Sequence, residues 1–312
     1  IWHLGVGPYS EEDRYGLDYL AAVEGTGGNY YDQHYFENEA GPTLQEGWSP
    51  TAETNLAIQF MQNHKAKRGD DPFALFLSWR PPHWPYPQYP DEFGGYNPDE
   101  IDLPRNVPRQ MAHFARQEIA DYYACCTGLD AEMGRLLHAL KEMNLEDETI
   151  VCYTSDHGDH LSSHGYGKPM DWWMHHSMRA SKATPYDESA HVPFLIRWPG
   201  STPAGSRSDA FMGAIDIVPG LLGACGLPIP EELQGRDISP IWRGEPIPDE
   251  TPQTVGSKDS VYLMNMAHGW PDRHGWVGRW RGVRTERYTY ARWYNNERGP
   301  WLFDREIDPT ER

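Results

Sequence analysis

Apolar residues recur at alternating steps of three and four at Cys126, Leu129, Met133, Leu136, Leu140 and Met143, which sets them on one face of an amphipathic helix starting near Asp121. The polar run Asn144 to Glu148 breaks that pattern. Residues 149–154, Thr-Ile-Val-Cys-Tyr-Thr, then read as a buried strand rich in β-branched and aromatic side chains. Residues 73–79 are apolar almost throughout, so a second strand with both faces covered is expected there. Helical spacing at Leu56, Ile58, Phe60 and Met61 predicts a helix over about residues 51–67. The proline- and aromatic-rich stretch from Pro81 to Pro108 excludes regular helix or central strand. A third strand is expected at residues 192–197. Alternation of helices with buried strands predicts an α/β chain with a mainly parallel sheet covered by helices. Composition shifts near Pro246-Ile247-Pro248, beyond which Arg-rich aromatic runs such as residues 287–292 suit a small antiparallel sheet.

Composition narrows the function classes. The 312 residues carry 27 Lys and Arg against 46 Asp and Glu, a net charge of −19. General nucleic-acid or anionic-membrane binding needs a basic surface, so neither partner is expected. No uninterrupted apolar run approaches the roughly 18–20 residues of a membrane helix. The 4 cysteines include adjacent Cys125 and Cys126 but no CxxC pair, which leaves the redox compartment open. A chain opening on Ile1-Trp2-His3-Leu4-Gly5 reads as a piece of something longer.

Ser155-Asp156-His157-Gly158-Asp159 follows the expected strand of residues 149–154 at once, where α/β sheets place their sites. Asp156 beside His157 can present a carboxylate and an imidazole to one divalent cation, or can close a strand-end turn in which Asp156 caps the backbone. His83, in Pro82-His83-Trp84-Pro85, is a general acid, an anion ligand or a surface histidine of an aromatic loop. Lys182 precedes Thr184-Pro185-Tyr186-Asp187-Glu188, a helix-start pattern whose mouth could clamp an anionic ester, although most lysines are solvated. His157, His160, His164, His175 and His176 crowd together, but their spacing fits no compact zinc motif. GxSxG, Walker and GxGxxG signatures are absent from the sequence.

Taken in order, these segments resemble the sulfatase family of the alkaline-phosphatase superfamily. Trp2-His3-Leu4-Gly5 is similar to its Lys-Trp-His-Leu-Gly, and residues 74–85 to its strand ending in Pro-His-x-Pro. Residues 122–158 resemble the helix and strand leading into Ser-Asp-(Asn/His)-Gly. Residues 182–193 resemble Lys-x-x-Pro-Tyr-Glu-Glu-Ser…Val-Pro, with Asp187 in place of the first Glu. Asp216-Ile217-Val218-Pro219, Gln234-Gly235-Arg236, residues 284–288, and Leu302-Phe303-Asp304 with Asp308-Pro309 extend the match nearly end to end.

The resemblance implies an α/β/α sandwich around a mainly parallel mixed sheet, with residues 1–248 as the catalytic domain and residues 249–312 as a small C-terminal antiparallel subdomain. It implies hydrolysis of a sulfate monoester, small-molecule or saccharide. Asp156 and His157 would ligate the metal, usually Ca²⁺, with Mg²⁺ and Mn²⁺ as alternatives. His83 and Lys182 would contact the sulfate, and His3 would hydrogen-bond the nucleophile. That nucleophile is a formylglycine made from Cys/Ser-x-Pro-x-Arg, and no residue here has that context. Formylglycine and the family's early Asp-Asp ligands are therefore expected on an N-terminal segment ahead of Ile1, and the chain alone is expected to show no turnover. Ile1 stands at a family Lys position, and Lys168 in Gly167-Lys168-Pro169 competes with Lys182 as anion clamp. Two alternatives share the motifs: a phosphodiesterase or phosphonate monoester hydrolase of the superfamily, and a non-catalytic sulfated-glycan binder using Arg279, Arg281, Arg284, Arg287 and Arg292. Compartment and oligomeric state are left open.

Overall fold

The computed structural model describes residues 5–23, 28–165, 182–246, 257–266, 279–294 and 299–311. His3, Lys168, residues 172–176 and most of the compositional break after Pro246 lie outside the described residues. The chain forms two compact units, residues 1–103 with 113–146, and residues 104–112 with 147–312.

The first unit opens with an antiparallel meander of β1 (Ala21–Val23), β2 (Tyr31–Glu37) and β3 (Thr43–Trp48). Helix α1 (Ser49–Arg68) follows directly, with Pro50 in its first turn and Lys65, Lys67 and Arg68 in its last, as the helix dipole favours. Gly69 closes it at φ 65°, its N–H bonded to the Lys65 carbonyl. Helix α2 (Ala112–Glu142) buries Ile119, Cys125, Leu129 and Leu140, close to the face expected from spacing, and starts earlier than expected. Gly128 on α2 has no substitute, because a Cβ there would lie 2.6 Å from the Trp48 ring. That approach lets Trp48, Tyr30 and Leu129 form one core cluster.

Residues 73–79 depart from the expected strand. Their exposure alternates, Phe76 standing 76% exposed, and they join no ladder among the described residues. An apolar run fixes neither partner nor register, and a strand needs a neighbour for its backbone groups.

The second unit pairs β4 (Val151–Thr154) with β5 (Phe194–Arg197) antiparallel, Val151 opposite Arg197. All ladders among the described residues are antiparallel. Short helices α3 (Asp187–Ala190), α4 (Ile217–Ala224) and α5 (Ser239–Trp242) accompany them. The expected C-terminal antiparallel sheet is present as β6 (Ser260–Asn265), β7 (Trp280–Thr285), β8 (Tyr288–Trp293) and β9 (Trp301–Asp304), in sequential order. Its alternation is clean on β8, where Thr289, Ala291 and Trp293 are buried and Tyr288, Tyr290 and Arg292 are exposed. Trp280, Ala291 and Trp293 make its core. A buried ion pair, Arg236 to Asp216 at 3.1 Å, joins two of the sequence segments singled out above.

Candidate active site

β4 delivers the Asp156-His157 pair. The Ser155 hydroxyl donates to the His157 carbonyl at 2.7 Å, and the His157 N–H donates to Asp156 Oδ1 at 3.0 Å, so the turn closes on itself. Gly158 then passes so near α3 that a Cβ would sit 2.0 Å from the Glu188 carbonyl oxygen. Its N–H donates to the Ser189 carbonyl at 2.9 Å. Glycine is required here by close approach.

The His157 ring has a defined tautomer. Nδ1 lies 2.8 Å from the Gly158 carbonyl, which can only accept, so Nδ1 carries the hydrogen. The Nε2 lone pair faces outward, 3.6 Å from Asp156 Oδ2 and 2.9 Å from the Lys182 Nζ, which donates to it. An imidazole whose far nitrogen is tied to a backbone carbonyl is the usual arrangement of a metal-binding histidine. Asp156 is 86% exposed at its side chain, so its second oxygen is open to a ligand. The donor set therefore fits a divalent cation, with the Lys182 ammonium standing against the same lone pair that a cation would take. Two donors fall short of the six to eight oxygens that Ca²⁺ takes, so the rest must come from other groups. Burial pushes the Lys182 amine below its ordinary range, opposed by the charges of Asp156 and Asp159.

Lys182 enters through a tight backbone. Ala183 adopts φ 65°, a left-handed conformation unusual for a residue with a Cβ. The Trp280 indole N–H donates to the Ala183 carbonyl at 2.8 Å. α3 begins at Asp187, so Pro185 lies just ahead of the helix rather than in its first turn, while Asp187 and Glu188 occupy that turn as expected. Asp187 is clamped by Arg284 at 3.1 Å and by Arg305. Arg287 pairs with Asp304 at 2.6 Å and Glu306 at 2.8 Å. Arg284 and Arg287, two of the five arginines of the glycan-binding alternative, are thus committed to ion pairs within the unit.

Beside this turn lies a network that residue spacing did not disclose. His164 Nε2 meets Glu188 Oε2 at 3.1 Å, and the Asn106 amide donates to Glu188 Oε1 at 2.5 Å. Tyr186 stacks on the His164 ring at 3.7 Å. Burial pushes the Glu188 carboxyl up, but the hydrogen bonds from His164 and Asn106 outweigh it and hold the group well below the usual range. Among the described residues, His160, His164 and Glu188 are the grouping whose ligand atoms lie within 4.8 Å of one another, and Asp156 and His157 are not part of it. Its donors are engaged with Thr184, Ser163 and Asn106. The signals available in sequence were the histidine crowding and the Tyr-Asp-Glu-Ser segment; Asn106 had none.

His83 belongs to the first unit. Its Nδ1 faces the Trp84 carbonyl at 2.7 Å, and its own carbonyl, with that of Trp84, accepts from the buried Tyr30 hydroxyl at 2.8 and 3.1 Å. Arg80, 6% exposed, lies over the Tyr30 ring at 5.1 Å and seats the same loop. Asp156, His157 and Lys182 are thus gathered at one place, His83 is held in the other unit, and His3 lies outside the described residues.

Comparison with known proteins places these features in context. The Sulfatase family model matches residues 2–227, and a model described as N-sulphoglucosamine sulphohydrolase, C-terminal, matches residues 179–312. An endo-4-O-sulfatase of Bacteroides thetaiotaomicron is 30% identical over 96% of this chain and 58% of its own length. An ulvan-active sulfatase of Formosa agariphila is 30% identical over 100% of this chain and 57% of its own length. A solved structure from a glycosaminoglycan-metabolism study of Bacteroides thetaiotaomicron superposes with a TM-score of 0.77 at 28% identity, covering 97% of this chain and 62% of that one. The chain therefore spans somewhat over half the length of the curated relatives it matches. With one family model covering most of its residues and the alkaline-phosphatase-like fold of its structural neighbours, the chain belongs to the sulfatase family.

Proposed function

We propose that the protein carrying this chain hydrolyses a sulfate monoester on a saccharide, releasing an alcohol and sulfate. The observation that carries the reading is the convergence on His157 Nε2 of the Lys182 amine at 2.9 Å and Asp156 Oδ2 at 3.6 Å. Sulfate transfer needs positive charge on the non-bridging oxygens and a proton for the departing alkoxide. In a molecule of net charge −19, those positive groups must be assembled locally against an adverse field.

Sulfatases generally use a divalent metal, and Asp156 with His157 would hold part of its coordination shell; Ca²⁺ is the ion proposed. When bound, it supplies fixed positive charge to the sulfate oxygens. Lys182 would turn its ammonium from His157 to a sulfate oxygen, a small displacement for a flexible four-carbon stem. His83 would donate its proton to the leaving oxygen, and His3 would orient the nucleophile. The formylglycine nucleophile would lie on a segment outside this sequence, consistent with the share of the relatives' length that the chain spans. Residues 1–248 would form the catalytic domain and residues 249–312 the C-terminal subdomain. The saccharide class rests on the names of the relatives, which act on 4-O-sulfated and ulvan substrates.

The test is a paired assay of the protein that joins this chain to its formylglycine segment, on sulfated saccharide fragments and on an aryl phosphonate monoester. Preference for the sulfate ester, lost in Lys182→Ala, is the expected result. Preference for the phosphonate would replace this reading with the phosphonate monoester hydrolase alternative.

A further inference from the structure

We propose that His160 is a positioning residue for the active-site amine: its buried ring anchors the Thr184 hydroxyl and so holds the Lys182–Thr184 backbone where the Lys182 side chain reaches His157. The proposal rests on the reading of Lys182 as the sulfate-binding cation.

Hydrogen-bond polarity fixes the roles of the two side chains. His160 is 1% exposed and Thr184 is 2% exposed. His160 Nδ1 faces the Ser163 carbonyl at 3.3 Å, so that nitrogen carries the hydrogen. Nε2 is then an acceptor, and the Thr184 hydroxyl 2.7 Å away must donate to it. Burial lowers the affinity of this imidazole for a proton, with the neighbouring Glu188 charge opposing, which keeps the Nε2 lone pair available.

The segment so held needs an anchor. Ala183, between Lys182 and Thr184, sits at φ 65°, and an L-residue stays in that region where surrounding bonds over-determine it. Two bonds flank it, from Thr184 to His160 and from Trp280 to the Ala183 carbonyl. His160 is itself fixed by a turn with Leu161, Ser162 and His164 at φ 45°, 72° and 58°, and by the edge of the Tyr186 ring at 5.7 Å. The turn that leaves β4 thus grips the Lys182 segment at separate points: the amine through His157 at 2.9 Å, the Thr184 side chain through His160 at 2.7 Å, and Ser189 through the Gly158 N–H at 2.9 Å. A histidine that merely filled the core would satisfy itself anywhere; this one bonds a side chain two residues from the amine, across a strained link.

The test compares Thr184→Val, His160→Leu, the double variant and His160→Gln. The primary readout is the acetylation rate of Lys182 by an N-hydroxysuccinimide ester, measured by mass spectrometry against Lys65 and Lys67 in the same sample; a second is calorimetric affinity for inorganic sulfate. Thr184→Val and His160→Leu are each expected to change the Lys182 rate by about fivefold or more, the loss of one buried hydrogen bond. The double variant should exceed neither single one, because both remove the same bond. His160→Gln, whose amide can still accept from Thr184, should restore most of the wild-type rate. Thr184→Val labelled within twofold of wild type, or additive effects in the double variant, would overturn the proposal. If His160→Leu does not melt cooperatively, Thr184→Val alone decides. A wild-type protein joined to its formylglycine segment that fails to bind sulfate counts against the proposed function, whereas the labelling rates judge His160 independently.

Discussion

The Lys182 ammonium donates to the Nε2 lone pair of His157 at 2.9 Å, so an amine and an imidazole distant in sequence share the atom that would hold a cation. The two cannot both be served at once. On the proposed reading, Lys182 would leave this lone pair to a cation and its ammonium would then serve an anion.

This competition gives the first prediction. Lys182→Met removes a positive charge and frees the lone pair, so divalent-cation affinity should tighten by roughly tenfold, about 1.4 kcal/mol, while affinity for sulfate falls. Calcium and sulfate titrations of the same variant read both signs. Loss of both affinities would show that Lys182 supports the fold instead of competing for His157.

Gly158 supplies the second. A methyl group at that position meets the Glu188 carbonyl oxygen at 2.0 Å and the carbonyl carbon at 2.9 Å, both backbone atoms. Gly158→Ala should cost about 1–3 kcal/mol and displace α3 from the turn, read by thermal melting and by hydrogen exchange of residues 187–190. An unchanged melt would mean that the two segments part at little cost.

A third concerns the first unit and pH. Glu53 is buried, and burial pushes its carboxyl up to about 7, opposed by the Tyr35 hydroxyl at 2.8 Å and by Arg80. The folded state thus holds its proton more tightly than the unfolded chain, where the value is about 4.5. Stability from this group is full below pH ~4.5 and is lost as pH rises through about 7. Glu53→Gln keeps an oxygen for Tyr35 and should be near neutral at pH 4, yet stabilising by up to about 3 kcal/mol at pH 8. Equal melting shifts at both values would contradict it.

The legible part of this molecule was its linear chemistry. Helix α1 and helix α2 followed from apolar spacing, because burial of one helical face imposes that period. β4 and the Asp156-His157 turn followed from a β-branched run meeting a polar cluster. The expected strand at residues 73–79 did not pair, since apolar character says nothing about which backbone lies alongside. The His160–Thr184 and Asn106–Glu188 contacts were illegible for a different reason. They join residues 24 and 82 positions apart, and only the folded chain supplies that proximity. Lys182 was readable as a candidate, but its contact with His157 spans 25 positions and rests on a left-handed alanine that no residue pattern announces.

On the proposed reading, Asp156 and His157 grip a divalent cation beside the Lys182 amine. The decisive measurement is elemental analysis of calcium retained after dialysis, on the protein that joins this chain to its formylglycine segment and on its Asp156→Ala variant. Stoichiometric calcium is expected in the first and loss of it in the second, with both proteins folded by circular dichroism. Equal calcium content in the two would contradict the assignment.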